Sequence, residues 1–261
     1  MIRLAPLFMC FLLSCSLSNQ GLEEEELSIV IPSKEKCNEA SMIIAHQGAW
    51  KAAGYPPNSL SAFKAALLLD IYGSECDVRQ TKDGCLVVCH DETYNGMTIA
   101  DNDYATLSGP SLFNREPLPL LEDFLLALSQ DNGKVRLVLD LKTCDVAKLL
   151  NLISSYGVLD RVDFVSGNGT ICTKLIKYGL GYKTLFLGGG MSPENAKKKG
   201  YGGIDYQKKV FLSHPNWINE AQALGLKVWV WTVNDAATIQ KYIENGVYVT
   251  TDKPELALKK Q

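Results

Sequence analysis

The sequence predicts an α/β protein of the (β/α)8, or TIM-barrel, class, in a distorted form with a small insertion near residues 92–120. Short apolar segments alternate with amphipathic ones over about 210 residues, which favours parallel strands joined by helices. Polar residues end several of the apolar segments, as they do at the mouth of a closed barrel. A chain of 261 residues, 46% of them hydrophobic, is large enough to form one such domain. An open parallel sheet is the alternative.

The predicted elements follow one another in a regular order. The apolar runs predict strands at residues 42–48, 75–78, 86–90, 135–142, 162–166, 183–187, 202–206, 227–233 and 246–250. The amphipathic stretches predict helices at residues 60–70, 121–128, 145–156, 170–178, 192–199, 214–224 and 235–245. The strands are one more than the eight that a barrel needs. Either a hairpin adds a strand, or a weak candidate such as 202–206 is wrong.

The segment 75–91 predicts two strands joined by a two-residue turn at Asp83-Gly84. Such a turn would place Asp77 directly opposite His90. Glu75 lies two residues before Asp77 and therefore points to the same face of its strand. Burying two carboxylates and an imidazole on one face is costly unless they have partners or a ligand. The hairpin therefore predicts a site for metal binding and acid–base chemistry.

Two further strands bring polar residues to the same edge. His46 lies at the end of the first strand, and Asp140 and Lys142 share one face at the carboxyl end of a later strand. Carboxylate oxygens are hard ligands, which predicts a site for a divalent cation, Mg²⁺ or Ca²⁺. The carboxylates that would hold it are Glu75, Asp77 and Asp140. Two histidines can divide acid and base work, and a lysine can neutralise an anionic oxygen, so the set predicts phosphoryl transfer on a small phosphodiester.

The order of these motifs resembles that of the glycerophosphodiester phosphodiesterase family over roughly residues 42–255. The motifs are Ile44-Ala45-His46-Gln47-Gly48, Pro57-Asn58-Ser59, Glu75-Cys76-Asp77-Val78, Thr81-Lys82-Asp83-Gly84, Val87-Val88-Cys89-His90-Asp91, Asp140-Leu141-Lys142, Trp231-Thr232-Val233-Asn234 and Thr251-Asp252-Lys253-Pro254. The resemblance implies metal-dependent hydrolysis of glycerophosphodiesters to an alcohol and glycerol 3-phosphate. Attack on phosphorus by water and attack by a neighbouring substrate hydroxyl are both compatible with these residues.

The resemblance also implies roles for individual residues. It makes His46 and His90 the catalytic pair and a divalent cation the cofactor. The metal ligands that it implies are Glu75, Asp77 and Asp140. The substrate-binding residues that it implies are Gln47, Lys142 and Trp231, of which Lys142 would contact phosphate and Trp231 would pack beside the substrate alcohol.

Three positions depart from the family pattern. Gln47 stands where arginine is usual and cannot offer a charged, bidentate grip on phosphate. The stretch Pro56-Pro57-Asn58-Ser59 has proline where glutamate is usual, and Asp140 replaces a longer glutamate. Two alternatives therefore stay open: phospholipase C-like or D-like action on intact lipids, and a catalytically impaired lipoprotein that binds phosphorylated ligands. Lipase action would need an apolar lip, for which the candidates are Tyr94, Met97, Leu112 and Phe113.

The first residues of the chain differ from the rest. Residues 1–15 predict a lipoprotein signal peptide, in which Leu12-Leu13-Ser14-Cys15 resembles a bacterial lipobox with Cys15 as the lipidated residue. Residues 16–37 predict a polar tether, and residues 38–261 the phosphodiesterase barrel. We therefore expect an exported protein, lipid-anchored to a bacterial membrane on its periplasmic or cell-surface side. A net charge of −3 without a basic stripe argues against nucleic-acid partners, and the sequence leaves the oligomeric state open.

Overall fold

The computed structural model describes residues 42–109 and 111–257. The predicted signal peptide, the tether and Cys15 lie outside these residues. The strands are β1 (Ile43–Ala45), β2 (Gly73–Gln80), β3 (Leu86–Val88), β4 (Thr93–Tyr94), β5 (Met97–Thr98), β6 (Arg136–Leu141), β7 (Val162–Ser166), β8 (Thr184–Leu187), β9 (Gly203–Gln207), β10 (Lys227–Trp231) and β11 (Tyr248–Thr251). The α-helices are α1 (Trp50–Ala53), α2 (Leu60–Leu67), α3 (Tyr104–Leu107), α4 (Leu121–Gln130), α5 (Val146–Ser155), α6 (Gly169–Lys177), α7 (Pro193–Lys198), α8 (Lys208–Ser213), α9 (Trp217–Ala223) and α10 (Ala236–Glu244).

Eight parallel strands close into a barrel. Around the ring they run β1, β2, β6, β7, β8, β9, β10 and β11, and β11 pairs with β1 to complete the circle. The predicted TIM-barrel class is therefore confirmed. The ninth strand of the sheet is β3, which pairs antiparallel with β2 outside the ring. The extra strand is thus the hairpin strand, and the weak candidate at 202–206 is a true barrel strand.

The hydrophobic core has two layers because strand side chains alternate between the two faces of the barrel wall. On β10, Val228 and Val230 pack outward in one cluster with helix residues such as Ala221 and Ile239. Trp229, between them in sequence, points into the barrel. The interior cluster consists of Ile44, Tyr72, Val138, Val165, Leu185 and Trp229. This interior layer fills the barrel beneath the mouth, and Val138 and Val165 belong both to it and to the lining of the cavity above.

The register of the β2–β3 hairpin differs from the prediction. Val78 pairs with Val88, and the backbone N–H of Thr81 donates to the carbonyl oxygen of Cys85 at 2.9 Å. The loop therefore has three residues instead of two, with Gly84 in the left-handed region at φ 81°. Three-residue hairpins with a glycine at that position are a common alternative to two-residue turns. The predicted pairing of Asp77 with His90 is wrong by one residue.

The insertion between β3 and α4 forms a small satellite core. Its buried members are Val87, Tyr94, Ile99, Leu107 and Leu118. Met97 and Leu112 pack against this cluster half-buried, whereas Phe113 is 75% exposed. Three of the four residues predicted as an apolar lip thus pack into the insertion itself.

Three short helices were not predicted. No predicted element covers α1 or α8, and α3 lies within the predicted insertion. The helix predicted to start at residue 214 starts at Trp217, as α9. Neither α1 nor α8 has a side-chain hydrogen bond at its N-cap, which removes the usual sequence signal for a helix start. No helix among the described residues is long and apolar enough to cross a membrane.

Candidate active site

The turn after β1 places the first histidine at the barrel mouth. Gln47 and Gly48 both adopt positive φ angles, 56° and 88°. A Cβ atom on Gly48 would lie 2.7 Å from the backbone carbonyl carbon of Ala62, so glycine is required for this close approach to α2. The carbonyl oxygen of Gln47 accepts a hydrogen bond from the N–H of Asn58 at 3.0 Å, which fixes the turn. His46, directly before the turn, lines the cavity at the mouth.

His46 is held by residues that follow β10 and β11. Its Nδ1 lies 2.7 Å from Oδ1 of Asp252, and Oδ2 of that carboxylate accepts a hydrogen bond from Nδ2 of Asn234, also at 2.7 Å. Oδ1 of Asn234 in turn accepts from the N–H of Asp252 and from the Thr251 hydroxyl. The hydrogen bonds with His46 and Asn234 hold the pKa of Asp252 below its usual value, although partial burial opposes them. A carboxylate on Nδ1 leaves Nε2 of His46 as the nitrogen that can exchange a proton.

Three carboxylates converge on the neighbouring part of the mouth. Asp77 on β2 pairs in register with Asp140 on β6, and Glu75 lies on the same face of β2. Oxygen atoms of all three lie within 4.8 Å of one another, and all three residues are buried. Lys142 reaches across the cluster, with its Nζ 2.9 Å from Oδ1 of Asp77 and 2.5 Å from Oδ2 of Asp140. The shared face predicted for Asp140 and Lys142 agrees with this contact.

Gln47 and Asn58 orient the carboxylates of β2. Nε2 of Gln47 and Nδ2 of Asn58 both donate to Oδ2 of Asp77 at 2.8 Å. The backbone N–H of Gln47 donates to Oε2 of Glu75 at 2.9 Å, and the N–H of Asp77 donates to Oδ1 of Asn58. Gln47 thus acts in this structure as a support for the carboxylates. Its predicted contact with substrate stays a prediction.

The charges of the cluster are unbalanced, because three acids are buried together and the one lysine beside them, Lys142, forms ion pairs with two, Asp77 and Asp140. Burial, then the charges of Asp77 and Asp140, raise the pKa of Glu75 well above its usual value. Burial also raises the pKa of Asp140, against the opposing effect of Lys142. For Asp77, burial is outweighed by Lys142 and by the amide hydrogen bonds, and its pKa is lowered. The two neighbouring acids raise the pKa of Lys142 despite its burial, so it is cationic.

This arrangement fits a divalent cation. Oδ1 of Asp140 is buried, and no hydrogen bond from the described part of the chain reaches it. The donor set is all carboxylate oxygen, which suits Mg²⁺ or Ca²⁺ better than softer metals. A cation at the cluster would relieve the repulsion that raises the pKa values of Glu75 and Asp140. The metal ligands named from the sequence are therefore brought together, while the identity of the ion stays a prediction.

His90 reaches the same cavity from a more open position. It lies beyond the end of β3, where its Nδ1 is 2.8 Å from Oδ1 of the adjacent Asp91. Its side chain is 60% exposed, compared with 28% for His46. Nε and Nη2 of Arg79 donate to the carbonyl oxygen of His90 at 3.1 and 2.9 Å. Arg79 therefore fixes the backbone of His90, which is not paired with β2 as the predicted register required. His90 lines the cavity together with His46.

The far side of the cavity is formed by β9 and β10. Trp231 lines it, and its Nε1 donates to the backbone carbonyl oxygen of Asp205 at 3.2 Å. Asp205 is itself buried in the cavity wall. His214, the third histidine of the chain, instead stacks on Trp217 with ring centroids 3.9 Å apart.

Sequence reasoning assigned no role to five residues of this site. They are Asn58, Arg79, Asp205, Asn234 and Asp252. Asn234 and Asp252 stand at the ends of β10 and β11, so their position at the mouth was a usable signal. Asp205 alternates with the apolar Ile204 and Tyr206 on its strand, which is the pattern of an inward polar residue. Arg79 carried no such signal. It donates to the backbone carbonyl oxygen of His90, and a backbone contact leaves no trace in the types of the residues involved.

Comparisons with known proteins match most of the chain. Residues 46–256 match the model of the glycerophosphoryl diester phosphodiesterase family. A glycerophosphodiester phosphodiesterase from Caldanaerobacter subterraneus is 29% identical over 82% of this chain and 95% of that protein.

Solved structures show the same fold. The crystal structure of a glycerophosphodiester phosphodiesterase from Parabacteroides distasonis has a TM-score of 0.78 and 34% identity, covering 83% of this chain and 94% of that one. A phosphodiesterase from Oleispira antarctica, solved in complex with the product sn-glycerol-3-phosphate, has a TM-score of 0.70 and 22% identity, covering 82% and 93%. The chain therefore belongs to the glycerophosphoryl diester phosphodiesterase family and is a phosphoric diester hydrolase.

Proposed function

We propose that this enzyme hydrolyses glycerophosphodiesters to an alcohol and glycerol 3-phosphate, using His46 and His90 with a divalent cation, Mg²⁺ or Ca²⁺, held by carboxylates. The observation that carries the proposal is the convergence of three buried carboxylates, Lys142 and both histidines on one cavity. The product complex of the Oleispira antarctica relative, which holds sn-glycerol-3-phosphate, supports the choice of product.

The cation would be held by Glu75, Asp77 and Asp140. A divalent cation bound there would help to neutralise the charge that develops on the phosphoryl oxygens. Lys142 supplies a second positive charge beside the same carboxylates, which supports a contact between its ammonium group and the substrate phosphate. Trp231 offers an apolar ring on the opposite wall, suited to pack beside the substrate alcohol.

The two histidines would divide the proton transfers. Each has a carboxylate on Nδ1, Asp252 for His46 and Asp91 for His90, so each presents Nε2 as the reactive nitrogen. One histidine would take the proton of the attacking hydroxyl, and the other would protonate the departing alkoxide. The same division serves attack by water and attack by a neighbouring hydroxyl of the substrate.

The test is release of glycerol 3-phosphate from glycerophosphocholine and glycerophosphoethanolamine by the purified protein. We expect release with Mg²⁺ or Ca²⁺, its loss in EDTA, and its loss in His90→Ala and in His46→Ala. Thermal unfolding with and without cation checks that each variant is folded and still binds metal. If neither Mg²⁺ nor Ca²⁺ supports release of glycerol 3-phosphate, the proposal is refuted, and a protein that binds phosphorylated ligands without cleaving them is favoured. Release of diacylglycerol from intact phospholipids would favour the phospholipase C-like alternative, and release of phosphatidic acid would favour the phospholipase D-like one.

We also propose that the enzyme is exported and lipid-anchored through Cys15, with residues 16–37 as the tether. The support is the lipobox-like Leu12-Leu13-Ser14-Cys15 after a positive start. Labelling with radioactive palmitate in a bacterial host should mark the wild type and not Cys15→Ala. Equal labelling of both, or of neither, would contradict the anchor.

A further inference from the structure

Asp205 is a buried carboxyl of the cavity that the proposed mechanism does not use. It lies on β9 between Ile204 and Tyr206, which pack outward against the helices, and is therefore directed into the barrel. It pairs in register with Leu187 on β8 and with Trp229 on β10. Its exposed fraction is 5%, and it lines the cavity beside Trp231.

The side chain of Asp205 has an unmet hydrogen-bonding capacity. Oδ1 is buried, and no hydrogen bond from the described residues reaches it. The two neighbouring donors, Nε1 of Trp231 and the N–H of Gly188, are both used by the backbone carbonyl oxygen of Asp205. Because buried polar atoms in proteins are nearly always paired, an unpaired oxygen on a cavity wall indicates a ligand that pairs with it.

The position of Asp205 indicates which part of a substrate it would meet. β9 lies four strands from β2 in the ring of eight, so Asp205 faces the carboxylate cluster across the cavity. The cavity between them is lined by the apolar side chains of Val138, Val165 and Leu187. A phosphate held at the carboxylate cluster would therefore extend one of its two arms over these apolar side chains towards Asp205.

The chemistry of Asp205 suits a hydroxyl group. Burial, then the charge of Asp140, raise the pKa of Asp205 to about 8, against the opposing effects of His46 and Lys142. A carboxyl that keeps its proton near neutral pH both donates and accepts a hydrogen bond. A hydroxyl group matches both functions, whereas a quaternary ammonium group offers no hydrogen bond and would favour a charged carboxylate. The glycerol arm, with its free hydroxyls, is therefore the better match.

We propose that Asp205 is a substrate-binding residue that hydrogen-bonds a hydroxyl of the glycerol arm and makes the site selective for glycerol phosphate over alkyl phosphates. The proposal rests on the proposed function, because it takes the phosphate to bind at the carboxylate cluster. A buried polar group that is built to bond a hydroxyl discriminates strongly against a ligand without one, since the group is then left unpaired.

The test is calorimetric titration of glycerol 3-phosphate and of n-propyl phosphate, which lacks both hydroxyls, into the protein with Mg²⁺. The wild type should bind glycerol 3-phosphate roughly 10- to 100-fold more tightly than n-propyl phosphate. Asp205→Ala and the bulkier Asp205→Leu should lose this preference and keep their affinity for n-propyl phosphate. Asp205→Asn, which retains a donor and an acceptor, should keep most of it. Gln207→Ala, two residues further on the same strand, is the matched control and should bind like the wild type.

Three results would overturn the inference. They are a wild type without preference, a preference that survives in Asp205→Ala or Asp205→Leu, and an equal loss of affinity for both phosphates in these variants. The second result would also follow if Asp205 held a cationic alcohol, because glycerol 3-phosphate carries none. Release of glycerol 3-phosphate from glycerophosphocholine by the same wild-type preparation tests the proposed function separately, so the two failures are distinguishable.

Discussion

The two ends of the barrel both bury charged side chains, and they balance the charge in opposite ways. At the base, where the strands begin, Asp163 on β7 is completely buried. Oδ2 of Asp163 accepts hydrogen bonds from Nε of Arg136 at 2.5 Å and from the hydroxyl of Tyr72 at 2.8 Å, and Nζ of Lys227 lies 3.9 Å from Oδ1. These cations lower the pKa of Asp163 although burial raises it. Close by, the ammonium of Lys183 donates to three backbone carbonyl oxygens.

At the mouth the balance is reversed. Glu75, Asp77, Asp140 and Asp205 are all buried, and among the described residues Lys142 is the cation that forms ion pairs with this group, through Asp77 and Asp140. Three of the four acids have raised pKa values. No hydrogen bond from the described residues reaches Oδ1 of Asp140 or of Asp205. Oδ1 of Asp163 at the base also receives none, but the Lys227 ammonium lies 3.9 Å from it.

The difference shows where the fold is complete and where it depends on a ligand. A buried acid with its own cations stabilises the barrel, whereas buried acids without enough cations destabilise it until a ligand binds. Because both ends belong to the same strands, the surplus of acid at the mouth follows from the side chains that the strand ends carry and not from the fold class. Four variants test this comparison.

The largest effect is expected for a metal ligand at the mouth. Asp140→Asn should lower the rate of glycerophosphodiester hydrolysis by about 10³-fold or more, equivalent to about 4 kcal/mol of transition-state stabilisation. The measurement is the initial rate with saturating Mg²⁺, beside the exposed-acid control Asp103→Asn, which should behave like the wild type. A rate within threefold of wild type would show that Asp140 holds no essential ion.

Replacing the buried acid at the base of the barrel should change the stability of the protein and leave its catalytic activity unchanged. Asp163→Asn should lower the free energy of unfolding by about 3 kcal/mol, because it removes the carboxylate that pairs with the largely buried Arg136 guanidinium, whose side chain is 15% exposed. Activity per folded molecule should be unchanged. Urea unfolding at pH 7 measures the first quantity, and the initial rate well below the urea midpoint measures the second.

The pH dependence of this variant has a defined sign. The folded-state pKa of Asp163 is depressed, so its contribution to stability is complete above its unfolded-state pKa and is lost as the pH falls through the folded-state value. Wild type should therefore lose its advantage over Asp163→Asn in acid. A constant difference between the two proteins from pH 7 down to pH 3 would contradict this account.

A paired acid at the mouth sharpens the comparison. Asp252 has its own partners, His46 and Asn234, and its side chain is 17% exposed. Asp252→Asn should lower kcat roughly 30-fold, about 2 kcal/mol, since it removes the carboxylate that orients His46. Asp91→Asn is the matched control at His90, and it should cost less than about threefold because that carboxylate is 77% exposed. Equal losses in the two variants would show that burial of the partner carboxylate does not matter.

The smallest effect is a gain in stability at the mouth. Glu75→Gln should raise the free energy of unfolding of the metal-free protein by about 1 kcal/mol, because it removes a buried charge beside two others. The folded-state pKa of Glu75 is raised, so wild-type stability should fall as the pH rises from its unfolded-state pKa towards the folded-state value. The variant should lack this decrease. Thermal unfolding in EDTA from pH 4 to pH 8 measures both effects, and a less stable variant throughout would contradict the charge imbalance.

The sequence by itself determined the elements that local patterns encode. Alternating apolar segments predicted a parallel α/β architecture, and the polar residues at their ends favoured a closed barrel over an open sheet. Side-chain alternation placed Glu75 with Asp77 and Asp140 with Lys142, because a face shared within one strand depends on a spacing of two and on nothing distant. The order of the motifs was sufficient for the family. The roles of individual residues in catalysis and the anchor at Cys15 stay predictions.

The tertiary structure alone decided contacts between segments that are far apart in the chain. The hairpin register depended on whether the loop had two residues or three, which the backbone conformation at Gly84 decides. A one-residue error in the register pairs each side chain with the wrong partner and moves it to the other face of the strand pair. Asp252 reaches His46 because β11 pairs with β1, 206 residues away in sequence. Asp205 faces the carboxylate cluster because closure of the ring places β9 opposite β2. Such contacts are set by the packing of the whole barrel, which no local pattern records.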